Sequence, residues 1–301
     1  MAIADVALSK SRVDSWRRYY ELSKPRVVAL ILFTALVGML LSVPGMVPWQ
    51  TLVFGLLGIG LASASGAALN HVIDRRIDAV MDRTRNRPLP TGRVELRRAL
   101  VFAIGIGVLA VTVLVVAVNV LTAVLTAFAL IGYAVIYTVF LKRSTPQNIV
   151  WGGLAGAAPP LLGWTAVTGE IQVEPLLLVL LVFVWTPPHF WALAIKRREE
   201  YARAGIPMLP VTHGVAFTKL QVLLYTLMLL TVSLVPFIIH MTGVLYLVGA
   251  LALGLGFVFH AYRLWRSSDD RYAMPTFGYS IFYLTAMFAL LLVDHYARMM
   301  W

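Results

Sequence analysis

Long uncharged stretches alternate with short charged ones along the whole chain. Three stretches of 43 to 47 residues carry no Asp, Glu, Lys or Arg, and each is long enough for two membrane-spanning helices of about 20 residues. Three shorter stretches of 21 to 26 residues each hold one such helix. The pattern predicts an all-α, polytopic integral membrane protein with nine transmembrane helices in one bundle. The expected spans are 27–45, 51–70, 99–117, 120–140, 147–167, 175–195, 219–238, 243–263 and 274–295.

The composition agrees with a membrane protein and narrows its chemistry. Of the 301 residues, 60% are hydrophobic and 13% are charged, whereas an ordinary soluble domain carries roughly 25% charged residues. Cysteine is absent, which excludes disulfide bonds and thiolate chemistry. Any reaction that this protein catalyses must therefore use oxygen and nitrogen side chains.

The basic residues predict the orientation of the bundle. Of the 25 Lys and Arg residues, 24 fall on one side of the predicted spans, and loops rich in Lys and Arg stay in the cytoplasm. We expect a cytoplasmic N-terminal segment, 1–26, a transmembrane domain, 27–301, an external C-terminus, and residence in the plasma (inner) membrane. This topology and contact with anionic membrane lipid account for the net charge of +11, so the charge does not indicate nucleic-acid binding.

Two cytoplasmic loops, 71–98 and 196–218, are large, and they follow the second and sixth spans. In both loops carboxylates come first and Pro and Gly residues follow, which suggests a weak internal repeat, although Pro and Gly are common in any loop. The predicted spans carry Asp, Lys or Arg only at their ends, which argues against an ion pathway. Chemistry is therefore expected in these loops.

A row of polar residues ends the second span. Asn70, Asp74 and Asp78 recur at steps of four, and residues four apart on a helix share one face. Like charges in this arrangement repel unless a cation lies between them. Oxygen ligands suit hard cations, and Mg²⁺ is often held by one or two carboxylates together with substrate phosphates. The row predicts a metal-bridged diphosphate site; the alternative is a solvated helix end whose acids pair with Arg75 and Arg76.

Two features favour the metal site over the solvated helix end. A basic run follows the acids and offers fork-shaped donors for phosphate oxygens, namely Arg83, Arg85 and Arg87. A second carboxylate pair, Glu199 and Glu200, ends the sixth span beside Lys196, Arg197 and Arg198.

These residues carry a family resemblance. The pattern N-x-x-x-D-x-x-x-D followed by R-T-x-x-R-P-L, from Asn70 to Leu89, resembles the intramembrane prenyltransferases of quinone and haem biosynthesis. Further segments are similar to the members that prenylate haem: ELSKPRVVAL (21–30), YTVFLKRSTPQNIVWGG (137–153), TPPHFWALA (186–194) and EYARAGIPMLPV (200–211). The resemblance extends from about residue 20 to residue 290.

The resemblance implies a reaction. It implies transfer of a farnesyl group from farnesyl diphosphate to a vinyl group of haem B, with water completing the side chain of haem O. Up to two Mg²⁺ ions, bound between the two carboxylate clusters, would help the diphosphate to leave. Contact with a downstream haem A synthase is a further partner that the resemblance suggests.

The resemblance also implies ligands for the metal, and the sequence departs from the family pattern at two points. The implied metal ligands are Asn70, Asp74, Asp78, Glu200 and Glu199. Many relatives have Asp where this chain has His71, and several Asp residues where it has only the two glutamates. Glu200 precedes Tyr201, as the family pattern requires, so we expect it to be the ligand and Glu199 to pair with Arg203 or solvent.

Other residues receive roles from the same resemblance. Diphosphate-binding residues would be Lys24, Arg83, Lys142, Arg143 and Lys196, with Lys142 also catalytic beside Asp74 and Asp78. Each base could instead set the topology or face lipid, and for Arg143 this alternative is as strong as the functional one.

Aromatic residues complete the expected site. Tyr133 and Tyr137 could stabilise an allylic cation through their ring faces, although Tyr137 also suits a membrane aromatic belt. His189 follows Pro187 and Pro188, which open the local helix hydrogen bonding, so it could contact haem iron or a propionate.

Three alternative functions stay open from the sequence. The acceptor could be a quinone precursor or another aromatic molecule. Phosphatidyl-alcohol transferases also use Asp residues with Mg²⁺, but their D-x-x-D-G-x-x-A-R signature is missing. A transporter would fit nine spans with broken helices, but the carboxylates cluster at one membrane face.

Overall fold

The computed structural model describes residues 16–300, and this part of the chain is helical without β-strands. Thirteen helices follow one another: α1 (Trp16–Leu22), α2 (Pro25–Leu41), α3 (Trp49–Val80), α4 (Leu96–Ala117), α5 (Val120–Ser144), α6 (Asn148–Ala157), α7 (Pro159–Thr168), α8 (Val173–Lys196), α9 (Arg198–Arg203), α10 (Leu209–Thr212), α11 (Gly214–Ile238), α12 (Val244–Arg266) and α13 (Ala273–Met299). The predicted all-α class is therefore confirmed.

Within the described residues, seven helices are long and apolar enough to cross a membrane, namely α3, α4, α5, α8, α11, α12 and α13. The predicted count of nine is not confirmed by this measure. One of the other two predicted spans corresponds to α2, which has 17 residues and is bent by 56° from α1. The other is divided into α6 and α7, because Pro159 and Pro160 interrupt the helical hydrogen bonding.

The outward surface of the long helices is apolar. Val101, Val108, Val116 and Phe128 each expose more than half of their surface. An apolar surface of this kind is stable in the hydrocarbon of a bilayer and not in water. Together with the seven long apolar helices, it makes this chain an integral membrane protein.

α8 lies at the centre of the bundle and packs against α6, α11 and α13. A large aromatic and aliphatic core surrounds it, with Trp185, Tyr246, Phe257, Tyr283 and Phe288 buried together. This core joins helices from both halves of the sequence and holds α8 inside the bundle.

A second apolar cluster lies beneath the two large loops. It includes Met81 from the first loop and Tyr201, Ile206 and Leu209 from the second, packed around Trp191 of α8. Both loops are therefore anchored to the bundle and to each other, which brings the two carboxylate segments to the same end of the molecule.

α5 contains a π-helical segment, Gly132–Leu141. The hydroxyl of Thr138 donates a 2.8 Å hydrogen bond to the carbonyl oxygen of Tyr133, five residues earlier. π-Helical turns are rare and occur frequently at functional sites. This segment packs against α3 and α6, so the irregularity lies beside the carboxylate row.

Two glycines allow α2 and α7 to approach each other closely. A Cβ atom on Gly38 would lie 2.1 Å from the carbonyl oxygen of Pro160, and one on Gly163 would lie 2.0 Å from that of Ala35. Small residues permit such close backbone contact between membrane helices. α2 is thus fixed to α7 through direct backbone packing.

Candidate active site

The row of polar residues lies on α3, which continues to Val80, ten residues past the predicted end of the span. Asn70, Asp74 and Asp78 share one face and are 5% exposed or less. The side-chain nitrogen of Asn70 donates to Asp74 Oδ2 at 2.8 Å. It also lies 3.4 Å from the hydroxyl of Thr138 in the π-helical segment. The row is therefore buried inside the bundle and is not a solvated helix end.

A basic side chain contacts each member of the row. Lys24 Nζ donates to Asn70 Oδ1 at 2.6 Å, and Lys142 Nζ donates to Asp74 Oδ2. Arg87 Nη1 donates to Asp78 Oδ2 at 2.7 Å. The three bases come from three separate parts of the chain. In the folded protein they converge on one helix face.

Arg143 reaches the polar row, whereas Arg75 and Arg76, the partners in the solvated helix end considered from the sequence, do not pair with its acids. Arg143 Nη2 is 3.8 Å from Asp74 Oδ1, so this predicted base also reaches the row. Arg75 donates to the backbone carbonyl of Val72 at 3.3 Å. Among the described residues, neither Arg75 nor Arg76 forms an ion pair with a carboxylate, so the paired helix end that they would make does not form.

Positive charge exceeds negative charge at this face. Four basic side chains surround two buried carboxylates, and such an excess attracts an anion. Lys24 lies in the break between α1 and α2, outside the membrane helices. Burial, together with the nearby charges of Arg87 and Lys142, lowers the pKa of Lys24 to about 7. An anionic ligand would relieve this crowding of cations.

The second loop places its two glutamates in different surroundings. Glu200 is 16% exposed and accepts a 2.8 Å hydrogen bond from Arg197. Its second oxygen, Oε2, is buried without a hydrogen-bond partner. Glu199 is 85% exposed and lies 3.9 Å from Arg198. Burial raises the pKa of the neighbouring Tyr201, so its hydroxyl stays protonated.

Lys196 and Arg83 do not contact the carboxylates of the site, although the sequence predicted both as diphosphate-binding residues. Both are exposed, and neither forms an ion pair among residues 16–300. α8 ends at Lys196 and α9 begins at Arg198. This break removes the helical spacing that would have placed Lys196 on the same face as Glu200.

One ion pair joins the two loops directly. Arg203 donates to Asp82 at 2.8 Å, where each side chain is more than half exposed. Asp82 continues the spacing of the row in the sequence, but α3 has ended by Met81 and the chain turns away. Glu199 was expected to pair with Arg203 or solvent; Arg203 pairs with Asp82 instead, and Glu199 is left largely to solvent. The hydroxyl of Thr84 donates to the carbonyl of Asp78 at 2.9 Å and completes the end of α3.

The donor chemistry of the site fits a hard cation. Asp74 Oδ1 and Glu200 Oε2 are both buried, and neither accepts a hydrogen bond. Carboxylate oxygens are the ligands that Mg²⁺ prefers. In the part of the chain that the structure describes, however, no three His, Asp or Glu side chains lie close enough together to hold a metal ion. Each carboxylate contacts a base instead.

Tyr133 and Tyr137 are stacked next to the row. Their ring centroids are 5.6 Å apart, with an angle of 23° between the planes. Glycines let the rings approach the neighbouring helices. A Cβ atom on Gly152 of α6 would lie 2.1 Å from Tyr137 Cδ2, and one on Gly66 of α3 would lie 3.3 Å from Tyr133 Cδ1. The stacked pair therefore forms a fixed aromatic wall between α3 and α6.

His189 lies in a packed aromatic cluster. Its ring is stacked between Trp185 and Phe277, with centroid distances of 4.3 and 4.6 Å. Its Nδ1 atom is 2.7 Å from the hydroxyl of Ser280. α8 continues as a helix through Pro187 and Pro188. Among the described residues, His189 makes no hydrogen bond to the carboxylate row.

Sequence reasoning overlooked three residues that contact the predicted ligands. Arg87 was recognised in the basic run but was not assigned to the site, while Arg197 and Thr138 received no role. The motif spacing around Arg87 was the available signal, since Arg87 belongs to the same R-T-x-x-R-P-L pattern as Arg83.

Comparison with known proteins identifies relatives over almost the whole chain. Residues 31–292 match the family described as the UbiA prenyltransferase family. A protein from Thioalkalivibrio sulfidiphilus named protoheme IX farnesyltransferase is 88% identical over 300 residues, covering 100% of this chain and 99% of the relative. A protein of the same name from Nitrosococcus oceani is 59% identical over 97% of both chains.

Solved structures share the fold. A structure of digeranylgeranylglyceryl phosphate synthase has a TM-score of 0.79 at 17% identity, covering 94% of this chain and 99% of the other. A UbiA homolog from Archaeoglobus fulgidus bound to DMAPP and Mg²⁺ has a TM-score of 0.68 at 18% identity, covering 91% and 99%. At these identities the likeness shows the fold alone.

Proposed function

Because this chain belongs to the UbiA prenyltransferase family, we propose that it transfers a farnesyl group from farnesyl diphosphate to a vinyl group of protohaem IX, giving haem O. The observation that carries the proposal is the buried row of Asn70, Asp74 and Asp78, each in contact with a base. The acceptor follows from the full-length identity to proteins named protoheme IX farnesyltransferase.

The bases have a second use in this proposal. Lys24, Arg87 and Lys142 now contact the row, and the same donors suit diphosphate oxygens. When farnesyl diphosphate enters, these side chains would turn from the row to the phosphate groups. Their departure would leave Asp74 and Asp78 free to hold a cation.

The free carboxylate oxygens are the proposed metal ligands. Asp74 and Asp78 from α3, with Glu200 from α9, would hold Mg²⁺, which when bound neutralises the diphosphate and makes it a better leaving group. Support comes from Asp74 Oδ1 and Glu200 Oε2, which are buried without hydrogen-bond partners. It also comes from the solved UbiA homolog bound to DMAPP and Mg²⁺.

The aromatic wall would protect the reacting carbon. Loss of diphosphate leaves an allylic cation on the farnesyl chain, and the faces of Tyr133 and Tyr137 can stabilise it. The apolar bundle keeps water away until the cation bonds to the vinyl carbon. Water then adds to the second vinyl carbon with loss of a proton, which gives the hydroxyethylfarnesyl group.

We also propose the predicted topology. α2 and the α6 and α7 pair would cross the membrane in addition to the seven long helices, giving nine crossings. The N-terminus and the active site would then face the cytoplasm and the C-terminus would lie outside, because 24 of the 25 basic residues fall on one side. Contact with a downstream haem A synthase would let haem O pass on without entering water.

The function can be tested with purified protein in lipid nanodiscs. We would supply labelled farnesyl diphosphate and Mg²⁺ with either haem B or 4-hydroxybenzoate, and measure released diphosphate and the mass of the product. The proposal expects farnesylated haem and diphosphate release that depends on haem. Farnesylation of the aromatic acid without any haem product would favour a quinone-type acceptor instead.

A further inference from the structure

His71 is a buried residue of α3 that the proposed mechanism does not use. Its ring is 2% exposed, and neither Nδ1 nor Nε2 has a hydrogen-bond partner. A polar group that is removed from water without a partner costs free energy. Asn70 and Asp78, on the same side of α3, each have at least one hydrogen-bond partner. The unpartnered ring of His71 therefore points to a ligand.

Helix geometry places His71 on the same face as Asp78. Seven residues separate them, and at 3.6 residues per turn this spacing is about 20° short of two full turns. The two side chains lie above one another, about 10 Å apart along the helix axis. Arg87, which binds Asp78, is thus positioned over the same strip of α3 as the His71 ring.

The charges around His71 select the kind of ligand. Lys24 contacts Asn70, the residue next to His71, and Arg87 contacts Asp78 on the same strip of α3, so the basic side chains that reach this strip are cationic. A metal cation would be repelled by these neighbours, whereas an anion would be attracted. A neutral imidazole has one N–H donor in either tautomer, so His71 can donate to an anionic oxygen.

We propose that His71 donates a hydrogen bond to the diphosphate of the prenyl donor and is a substrate-binding residue of this enzyme. The inference rests on the proposed use of farnesyl diphosphate. Lys24 and Arg87 would contact the same diphosphate after leaving Asn70 and Asp78. In the bound diphosphate, His71 would then gain the hydrogen-bond partner that it lacks in the free protein.

Two variants of similar size separate the hydrogen bond from packing. His71→Gln keeps an N–H donor, and His71→Leu fills the space without one. Binding of farnesyl diphosphate, farnesyl monophosphate and inorganic diphosphate would be measured by calorimetry without haem. We expect His71→Leu to bind farnesyl diphosphate about tenfold more weakly, the loss of one hydrogen bond to a charged group. His71→Gln should stay within about threefold of the wild type.

A control and a second measurement make the test independent of folding. His260→Gln, on α12 and outside this site, should bind all three ligands as the wild type does. If His71→Leu does not fold, ¹⁵N spectra of histidine-labelled wild-type protein replace it. Addition of inorganic diphosphate should then shift the ring signal that is missing in His71→Gln.

The possible outcomes distinguish this inference from the proposed function. If the wild-type protein binds no prenyl diphosphate, both the role of His71 and the proposed function are overturned. If the wild type binds and His71→Leu binds equally well, the inference alone is overturned. The same holds if the variant loses affinity for haem while it keeps affinity for the donor, or if the ring signal of His71 does not respond to diphosphate.

Discussion

Arg87 donates a 2.7 Å hydrogen bond to the carboxylate of Asp78 across the end of α3. The carboxylate is 4% exposed and the guanidinium side chain 19% exposed, so water screens this pair poorly. The contact neutralises a buried acid before any substrate is present. It also holds the basic loop against the helix that carries the polar row.

Removal of Arg87 should therefore destabilise the protein. Arg87→Gln leaves a buried carboxylate without its cation, which costs about 3–5 kcal/mol. The double variant Arg87→Gln with Asp78→Asn should be more stable than the sum of the single losses predicts, by at least about 1 kcal/mol. Thermal unfolding in detergent without Mg²⁺ measures the stability of the wild type, the two single variants and the double variant. The exposed pair of Asp82 and Arg203 provides the matched cycle, and its coupling should stay under about 1 kcal/mol.

Asp78→Asn should lower turnover strongly without unfolding the protein. The amide keeps the size of the side chain but removes a charge that the proposed metal requires, so we expect turnover to fall at least about 100-fold. Haem extracted from cells should then contain haem B and no haem O. Asp82→Asn is the control, because it alters the exposed member of the same sequence pattern. Normal haem O in Asp78→Asn would contradict the metal assignment.

The two glutamates should differ strongly in their effects. Glu200 is mostly buried with one free oxygen, whereas Glu199 is 85% exposed. We expect Glu200→Gln to raise the Mg²⁺ concentration needed for half-maximal rate and to lower turnover. Glu199→Gln should change either quantity less than about threefold, which is under about 1 kcal/mol. Initial rates across a Mg²⁺ series measure both. The reverse order would transfer the ligand role to Glu199.

The close packing of α2 on α7 makes a stability prediction. Gly163→Ala would place a methyl group 2.0 Å from the carbonyl oxygen of Ala35, and such overpacking costs about 1–3 kcal/mol. Gly156→Ala in α6 meets nothing within 4 Å and should be neutral or stabilising, since Ala is a better helix former by about 1 kcal/mol. Melting temperatures in one detergent compare the two. Equal values would show that the helices can separate at little cost.

Reporter fusions test the topology. Because the basic loops are expected to stay in the cytoplasm, fusions at residues 90, 205 and 268 should give a cytoplasmic signal. Fusions at residue 119, between α4 and α5, and at residue 301 should give an external signal. Alkaline phosphatase and green fluorescent protein report the two sides in complementary ways. An external signal at residue 90 would overturn the predicted topology.

The sequence predicted local relationships within one helix well. The spacing of Asn70, Asp74 and Asp78 depends only on helical periodicity, and the structure has them on one buried face. Lys24 and Lys142 were selected through the family motif, and both contact the row. These predictions needed no knowledge of how a helix ends.

Predictions across a helix end were weaker. The spacing of Lys196 and Glu200 suggested one face, but the helix breaks at Arg197 between them. Helical spacing could not identify Arg87 as the partner of Asp78, because Arg87 returns to α3 through a turn; only its place in the R-T-x-x-R-P-L motif pointed to it. The π-helical segment that positions Thr138 has no local signature, since it depends on packing against α3 and α6.

The close contact of α2 with α7 can form only after both helices have been synthesised. Gly38 and Gly163 are separated by 125 positions in the sequence, and ribosomes add about 5–20 residues per second. α2 is therefore made on the order of ten seconds before α7, against which its Gly38 packs. The contact between α2 and α7 therefore forms late in the assembly of the bundle, after the four intervening helices have been made.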